Sequence, residues 1–161
     1  MIRPAHINDL ERIVDIYNQI IPLRYVTADL TPVTVSSRIE WFHQFNESRP
    51  IFVYENEAGI VSWASLRSFY GRPAYHNTVE IGIYIDEKYR KLGIGEEMLL
   101  HVQAAAKQIG IETILAFIFA NNEGSVRFFK KHGYEQYGLL PEVAEIDSQK
   151  IDLMILGLKL Q

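Results

Sequence analysis

A run of consecutive apolar residues, Ile114 to Ala120, limits the folds that this chain of 161 residues can adopt. The run is far shorter than the roughly 18 residues that a membrane span requires. It also lacks the polar alternation of a strand with one solvated face. It therefore predicts a strand, Thr113 to Phe119, that is buried on both faces. Such a strand belongs to a central sheet with other layers packed on each side.

Hydrophobic periodicity predicts a mixture of helices and strands along the rest of the chain. The predicted helices span Asn8 or Asp9 to about Ile21, Val33 to Phe45, Gly93 to Gln108 and Asn122 to Lys131. The further predicted strands span Ile2 to Ala5, Ile51 to Tyr54, Ile60 to Ala64, Thr78 to Ile85, Tyr134 to Leu139 and Lys150 to Leu158. No repeat, low-complexity tract or linker interrupts them. The sequence thus predicts one α/β or α+β domain, residues 1–161, built in three layers.

Composition narrows the classes of function. Sixteen Lys and Arg against twenty Asp and Glu leave a formal charge of −4, which argues against broad nucleic-acid binding. The chain has no cysteine, which excludes a disulfide, a thiolate metal site and a cysteine nucleophile. None of its five histidines has the spacing of a metal site. We expect a cytoplasmic protein with no metal, no signal peptide and no membrane partner.

The segment from Tyr84 to Gly95 is the most informative about function. It predicts a strand end, a short basic turn with two glycines, and the start of a long helix. The first turn of a helix has unpaired N–H groups at the positive end of the helix dipole. Gly93 and Gly95 let a phosphate approach the backbone. Arg90 and Lys91 add positive charge, so the pattern is typical of a diphosphate site.

Two common diphosphate motifs are absent from this segment. A P-loop requires four residues between its glycines and a following Lys-Ser/Thr pair, which the segment lacks. The dinucleotide fingerprint G-x-G-x-x-G fails because Met98 stands at the position of the third glycine. An ordinary strand-to-helix turn, with glycines for tightness, is the alternative to a phosphate site.

Two spaced motifs resemble those of the GCN5-related N-acetyltransferase (GNAT) superfamily. Arg90-x-x-Gly93-x-Gly95 is similar to its acetyl-CoA loop, Q/R-x-x-G-x-G/A. Further along, Asn122 to Ser125 and Phe128 to Tyr134 resemble its second motif, in which an Asn opens a helix beside the cofactor. The resemblance implies a three-layer sandwich with a mixed sheet of about six to seven strands flanked by about four helices.

A narrower resemblance, to the phosphinothricin acetyltransferase branch, rests on Arg38 to Phe42, Arg72 to Tyr75 and Thr78 to Glu80. It implies direct transfer of an acetyl group from acetyl-CoA to the primary amine of a small amino acid or analogue, such as phosphinothricin or methionine sulfone. Acetylation of polyamines or protein amino termini is one alternative, and a non-catalytic acyl-CoA-binding module is another. Relatives are often dimers, and the apolar strand from Ile151 to Leu158 is a candidate to pair across a homodimer interface.

The superfamily resemblance also implies which residues contact acetyl-CoA. The strand residues Ile83, Tyr84 and Ile85 run beside the pantetheine. The other implied contacts are Arg90, Lys91, Leu92, Gly93, Ile94, Gly95, Glu96, Asn122, Ser125, Phe129 and Lys131. The chain departs from the superfamily at Phe129, where many relatives carry a tyrosine that protonates the departing thiolate. Water or a neighbouring hydroxyl then supplies that proton.

An amine must lose a proton before it can attack a thioester, so the reaction needs a base. Glu80 is the candidate catalytic residue, because it precedes the strand residues that the resemblance places beside pantetheine. By strand alternation it also points away from the apolar row of Ile81 and Ile83. A salt-bridged or solvated carboxylate with a purely structural role is the alternative.

An overall acidic protein needs local cations to hold the carboxylate of an amino acid. Arg72, Tyr75 and His76 are the predicted substrate-binding residues, because their loop leads into the strand that carries Glu80. An arginine suits this role because its planar fork pairs with both carboxylate oxygens. Arg67, on the neighbouring strand, is the alternative cation for this role. The alternative interpretation of Arg72 and His76 is that they are solvated loop residues with no binding role.

Overall fold

The computed structural model describes residues 1–161 as a mixture of helices and strands. The helices are α1 (Leu10–Asn18), α2 (Val35–His43), α3 (Ile94–Gln108) and α4 (Glu123–Lys131). The strands are β1 (Ile2–Pro4), β2 (Ile51–Asn56), β3 (Gly59–Ser68), β4 (Thr78–Ile85), β5 (Thr113–Phe119), β6 (Glu135–Ile146) and β7 (Gln149–Lys159). Short 3₁₀ turns cover Ile7–Asp9, Ile21–Leu23, Pro73–Tyr75 and Glu87–Tyr89. Every predicted helix and strand is present.

All seven strands form one sheet in the order β1-β2-β3-β4-β5-β7-β6. Neighbouring strands are antiparallel except β4 and β5, which run parallel. The predicted apolar strand, β5, lies inside the sheet and is buried except at Phe117, which is half-buried. The mixed seven-stranded sheet and its four helices confirm the predicted fold class.

Different helices cover the two faces of the sheet. On one side, called the α3 face, α3 and α4 pack over the larger core, in which Met98 and Val102 are fully buried. On the other side, called the α1 face, α1 and α2 pack around Val53 and Trp63. Alternation along each strand therefore decides which residues reach which layer.

The parallel strands β4 and β5 separate soon after they meet. Their pairing covers Thr78 to Glu80 on β4 and Thr113 to Leu115 on β5. Both strands continue, to Ile85 and Phe119 respectively, with a partner on their outer sides alone. The backbone of β4 after Glu80 therefore faces a gap. Helices α3 and α4 start at the open end of this gap, where the carboxyl ends of the two parallel strands lie.

Two predicted strand ends are wrong. β3 continues to Ser68, past the predicted end at Ala64. β6 continues to Ile146, well past the predicted end at Leu139. It is an edge strand, where Pro141 is tolerated because an edge needs N–H donors on one side only. The register of β6 against β7 shifts between Leu140 and Ala144, which is the stretch that contains Pro141.

The predicted interface strand is also wrong. Residues Ile151 to Leu158 lie in β7, which pairs with β5 on one side and with β6 on the other. A strand with both edges paired has no free row of N–H and C=O groups to offer a second copy of the chain. The free edge at this end of the sheet is β6.

Candidate active site

The connection between β4 and α3, called the β4–α3 loop (residues 86–93), presents free backbone N–H groups. Lys91 and Gly93 have φ values of 63° and 85°, which turn the chain sharply before α3 begins. The N–H groups from Lys91 to Glu96 donate no hydrogen bond within the protein. The Glu97 N–H is the first to find a partner, the carbonyl of Gly93 at 3.1 Å. The free donors lie at the positive end of the α3 dipole.

Glycine is favoured at positions 93 and 95 of this helix start for different structural reasons. A Cβ on Gly93 would meet no atom within 4 Å, so its left-handed φ, and not crowding, favours glycine there. A Cβ on Gly95 would lie 3.2 Å from Ile85 Cδ1 and 3.7 Å from the Phe128 ring. Gly95 therefore lets α3 pack closely on β4 and α4, while the space beside Gly93 is open to a ligand.

Asp86, to which the sequence pattern assigns no role, anchors the start of the loop. Its side chain is 6% exposed and accepts hydrogen bonds from Arg12 Nη2 (2.6 Å), Gln19 Nε2 (3.0 Å) and the Lys88 N–H (2.9 Å). Burial by itself raises the pKa of a carboxyl group, yet these three donors outweigh it and lower the pKa of Asp86 to about 2. The ionised Asp86 therefore ties the β4–α3 loop to α1.

Helix α4 brings a second helix start to the same end of the sheet. Asn122 is buried, and its side chain caps α4 by accepting a hydrogen bond from the Ser125 N–H (3.3 Å). Phe129 is buried in the core of the α3 face, with its ring centroid 4.9 Å from that of Tyr134. A packing role accounts for Phe129, and its contact with the cofactor stays a prediction.

The far end of α4 returns to the start of α3. The Nδ1 atom of His132 lies 2.8 Å from the carbonyl oxygen of Phe128, and its Nε2 atom lies 3.2 Å from Glu96 Oε1. His132 thereby connects two motifs that are separate in sequence. The adjacent Lys131 is exposed, and its contact with the cofactor stays a prediction.

These elements fit a coenzyme A thioester. Beyond Glu80, the β4 edge that faces the gap has unpaired backbone groups for an extended pantetheine chain. The side chains of Ile83 and Ile85 face α3, while Tyr84 faces the α1 side. Free N–H donors at two helix starts, with cations nearby, suit a diphosphate. The predicted cofactor residues of the β4–α3 loop, β4 and α4 therefore lie around the same gap.

A cavity of about 560 Å³ lies on the α1 face beside this gap. Its floor is a row of three residue pairs across β3 and β4: Arg67 opposite Glu80, Ser65 opposite Gly82, and Trp63 opposite Tyr84. α1, α2 and the chain between them cover the row, and Phe117 and Phe119 of β5 line one side. We call this space the acceptor cavity. Its size is ordinary for a small-molecule site.

Glu80 lies at the end of this row, at the point where β4 leaves β5. Its side chain is 26% exposed, and its Oε1 accepts a hydrogen bond from Arg67 Nη2 (2.9 Å). Arg67 makes no other side-chain hydrogen bond within the protein, so most of its five N–H donors are free. Both residues also line a smaller polar cavity of about 270 Å³ with Arg49 and Ser68. Glu80 is thus salt-bridged and also faces open space on two sides.

A second cation lies at the other end of the row. Arg38 Nη2 donates to Asp29 Oδ2 (3.1 Å), and its guanidinium carbon lies 5.3 Å from the Tyr17 ring centroid and 5.5 Å from that of Trp41. The Tyr17 hydroxyl also hydrogen-bonds Thr27 and Asp29. Burial, together with the bond to Asp29, raises the pKa of Tyr17, so the phenol stays protonated. These contacts hold the α1–α2 connection over the acceptor cavity.

The predicted substrate residues Arg72, Tyr75 and His76 are exposed and do not line the acceptor cavity. Tyr75 is one ring away from it, since its ring centroid lies 5.3 Å from that of Phe69, which does line the cavity. The binding roles of these three residues stay predictions. The arginines that reach the cavity are Arg67, the alternative cation of the sequence analysis, and Arg38, which that analysis assigned only to a family motif.

None of the helices has the length and apolarity that crossing a membrane requires. No three His, Cys, Asp or Glu side chains are grouped as ligands for a metal ion.

Comparison with known proteins defines the class of this site. The family model described as the Acetyltransferase (GNAT) family matches residues 10–134. The chain therefore belongs to the GNAT acetyltransferase family, which confirms the superfamily resemblance. It is an N-acetyltransferase, and the acyl donor of this family is acetyl-CoA.

Similar proteins place the chain beside the phosphinothricin acetyltransferases. It is 47% identical over 160 residues to YwnH of Bacillus subtilis (strain 168), a candidate phosphinothricin acetyltransferase, with 99% of this chain and 98% of YwnH covered. It is 28% identical to the L-methionine sulfoximine/L-methionine sulfone acetyltransferase of Pseudomonas aeruginosa, with 99% and 94% covered. A crystal structure of a candidate phosphinothricin N-acetyltransferase superimposes with a TM-score of 0.96 at 46% identity, covering 100% of this chain and 98% of that one.

Proposed function

We propose that this enzyme acetylates the α-amine of a small amino acid or amino-acid analogue, with Glu80 as the general base. One observation carries the proposal: Glu80 and the largely unpartnered Arg67 stand 2.9 Å apart at the end of the acceptor cavity. In an α-amino acid the amine and the carboxylate are attached to one carbon. A base beside a cation therefore suits this pair of groups better than it suits an isolated amine.

The chemistry assigns a separate task to each residue. Acetyl-CoA supplies the activated acetyl group when it is bound. Glu80 takes the proton of the ammonium group, directly or through one water, which frees the nitrogen lone pair for attack. The free N–H donors of Arg67 pair with the carboxylate and fix the direction of the amine. The polar cavity on the other side of Glu80 gives this proton a route to solvent.

The named relatives support the same acceptor class. The Pseudomonas aeruginosa enzyme is named for methionine sulfoximine and methionine sulfone, and YwnH for phosphinothricin. Each of these compounds is an amino-acid analogue with a polar head at the end of its side chain. A polyamine would favour an acidic pocket, whereas the acceptor cavity balances Arg38 and Arg67 against Asp29 and Glu80.

An acceptor screen tests the proposal. The purified protein is supplied with acetyl-CoA and one amine at a time, and released coenzyme A is measured with a thiol reagent. The amines are L-methionine sulfone, phosphinothricin, the decarboxylated counterpart of methionine sulfone, spermidine and a peptide with a free amino terminus. We expect kcat/KM for methionine sulfone to exceed that of its decarboxylated counterpart at least tenfold, about 1.4 kcal/mol for one charge-assisted hydrogen bond.

Three outcomes would contradict the proposal in different ways. Equal turnover of the two sulfones would show that the carboxylate is not recognised. Turnover of spermidine or the peptide alone would favour the polyamine or protein amino-terminus alternative. Acetyl-CoA binding without turnover of any amine would favour a non-catalytic acyl-CoA-binding module.

We still expect a cytoplasmic location and a homodimer. The free edge strand β6, and not β7, is now the strand that we expect to pair across the homodimer interface. Large apolar side chains on β6 are exposed, namely Tyr137, Leu139, Leu140 and Val143. An exposed edge of this kind is a site where a second copy pairs. Light scattering should give twice the chain mass for the wild type, and Val143→Lys on β6 should lower it. A monomeric wild type would contradict the homodimer.

A further inference from the structure

Two hydrogen-bond donors on the floor of the acceptor cavity lack a partner. Trp63 and Tyr84 are paired across β3 and β4, and their ring centroids lie 4.5 Å apart. Trp63 is 3% exposed, and its Nε1 is the one buried side-chain nitrogen or oxygen in the chain without a hydrogen bond. An indole N–H donates and cannot accept, so only an acceptor atom satisfies it. Buried polar groups without partners are rare, and each one in a native structure calls for an explanation.

The Tyr84 hydroxyl is the second donor. A Cβ on Gly82 would lie 3.0 Å from Tyr84 Cε2 and 3.2 Å from its hydroxyl oxygen. The ring therefore folds back along β4 over the bare backbone of Gly82, which turns the hydroxyl toward Glu80. Burial raises the pKa of Tyr84, and no hydrogen bond within the protein engages its hydroxyl. The phenol thus stays protonated and remains free to donate.

The spacing of the row relates these donors to the reaction. Trp63 lies four residues before Arg67 on β3, roughly 13 Å at the rise of a strand. The bend of Tyr84 over Gly82 brings its hydroxyl part of the way back toward Glu80. A substrate with its amine and carboxylate at the Glu80–Arg67 end therefore extends its side chain toward Trp63 and Tyr84. The ion pair of Arg38 with Asp29 lies beyond that end, since both residues contact Tyr17, whose ring centroid lies 5.4 Å from that of Tyr84.

We propose that Trp63 and Tyr84 recognise acceptor oxygens at the end of the substrate side chain, such as the oxygens of a sulfone, sulfoximine or phosphinate group. The inference rests on the proposed function and adds the residues that select among its substrates. Such oxygens accept hydrogen bonds strongly, whereas the thioether sulfur of methionine is a weak acceptor. A site built to hydrogen-bond its substrate rejects an analogue that leaves its donors unpaired.

The test uses two substrates that differ only in these oxygens, L-methionine sulfone and L-methionine. Steady-state kcat/KM is measured with wild type, Tyr84→Phe and Trp63→Phe, each of which removes one donor and keeps an aromatic ring. Tyr54→Phe, in which the same hydroxyl is removed from a β2 tyrosine outside the cavity, is the matched control. Circular dichroism checks the fold of each variant.

We expect the wild type to prefer the sulfone at least tenfold. Tyr84→Phe and Trp63→Phe should lower kcat/KM for the sulfone about tenfold, as expected for one lost hydrogen bond, and leave methionine within about twofold. Tyr54→Phe should change neither. If Trp63→Phe does not fold, Tyr84→Phe alone decides the result.

Two results would overturn the inference while the proposed function stands. One is a wild type that acetylates both amino acids equally well. The other is a loss in Tyr84→Phe that is equal for both substrates, because a general disturbance of the site would act on both. Turnover of neither amino acid by the wild type would overturn the proposed function, and the inference with it.

Discussion

The surroundings of Glu80 are consistent with two different roles, a structural carboxylate and a general base. Its bond to Arg67 is what a structural carboxylate would make, while the acceptor cavity and the polar cavity on either side are what a base needs. The geometry combines the two alternatives of the sequence analysis in one residue. A substitution that keeps the shape and a hydrogen-bond acceptor of the side chain distinguishes the structural role from the role of general base.

Glu80→Gln is that substitution. We expect kcat to fall about 10²-fold, the low end for loss of a general base. Affinity for acetyl-CoA should stay nearly unchanged, because Glu80 lies on the α1 side of β4, away from the β4–α3 loop. Turnover, cofactor titration and thermal unfolding are measured together. Full activity combined with a lower Tm would assign Glu80 a structural role.

Arg67 and Arg72 compete for the substrate carboxylate. We expect Arg67→Ala to raise KM for a carboxylate-bearing amine at least tenfold and to change KM for its decarboxylated counterpart much less. Arg72→Ala is the matched control from outside the cavity, and it also tests the original prediction for that residue. An equal and carboxylate-dependent rise in KM for Arg72→Ala would place the 73–75 turn over the cavity when substrate binds.

At the scale of elements, the site depends on two helices that begin where two parallel strands separate. β4 and β5 pair over three residues each, so the gap between them opens early and both helix starts face it. Close packing of α3 on β4 at Gly95 and the contact of His132 with Glu96 fix α3 relative to α4. The β4–α3 loop can therefore present its N–H groups without moving.

Gly93→Val tests the loop against a control of the same geometry. Gly93 and Gly110 share a φ of 85°, and a Cβ on either would meet no atom within 4 Å. Valine at either position should cost a similar amount of stability, because both force a branched side chain into a left-handed conformation. We expect Gly93→Val to abolish acetyl-CoA binding in calorimetry and Gly110→Val to preserve it. Unchanged affinity in Gly93→Val would remove the loop from the cofactor site.

At the scale of the whole molecule, Asp86 links the loop to α1 and contributes to stability in acid. The pKa of Asp86 in the folded protein, about 2, lies below the value of about 3.9 for an unfolded chain. The ionised group therefore stabilises the fold above about pH 4, and this contribution is lost as the pH falls toward 2. Linkage sets its size at about 2–3 kcal/mol, which is plausible for a side chain that is 6% exposed.

Urea unfolding of wild type and Asp86→Asn at several pH values measures this contribution. We expect the wild type to be more stable at pH 7, and the difference to shrink between about pH 4 and 2. Asp147→Asn is the control, since Asp147 pairs with Arg24 on the surface and should show a much smaller change. A difference between wild type and Asp86→Asn that did not vary with pH would contradict the role of the Asp86 charge.

Local features of the site were predictable from sequence because they depend on neighbours along the chain. The helix start at Gly93, the free N–H groups before Glu97 and the cap at Asn122 all follow from residues within a few positions of one another. The face on which Glu80 lies also follows from strand alternation. The order of these motifs on strand and helix was enough to indicate the family.

The acceptor cavity could not be predicted in this way, because its walls come from five stretches of the chain that meet only in the folded protein, namely residues 13–41, 63–70, 80–84, 117–119 and Leu153. Register decides that Arg67 faces Glu80 and that Trp63 faces Tyr84. The sequence pattern favours Arg72 for the carboxylate, because Arg72 is close to Glu80 along the chain. In the structure it is a cross-strand neighbour, Arg67, that touches Glu80.

The sequence by itself determined the fold class, the family and the β4–α3 loop, since backbone conformation and helix ends are set over short distances along the chain. Only the tertiary structure decided which side chains share a space. Asp86 receives two of its three donors from residues 74 and 67 positions earlier, and β7 lies inside the sheet although its apolar sequence suits an interface. Strand order and register are properties of the whole sheet. They therefore decide which side chains contact one another, and no local sequence pattern encodes these contacts.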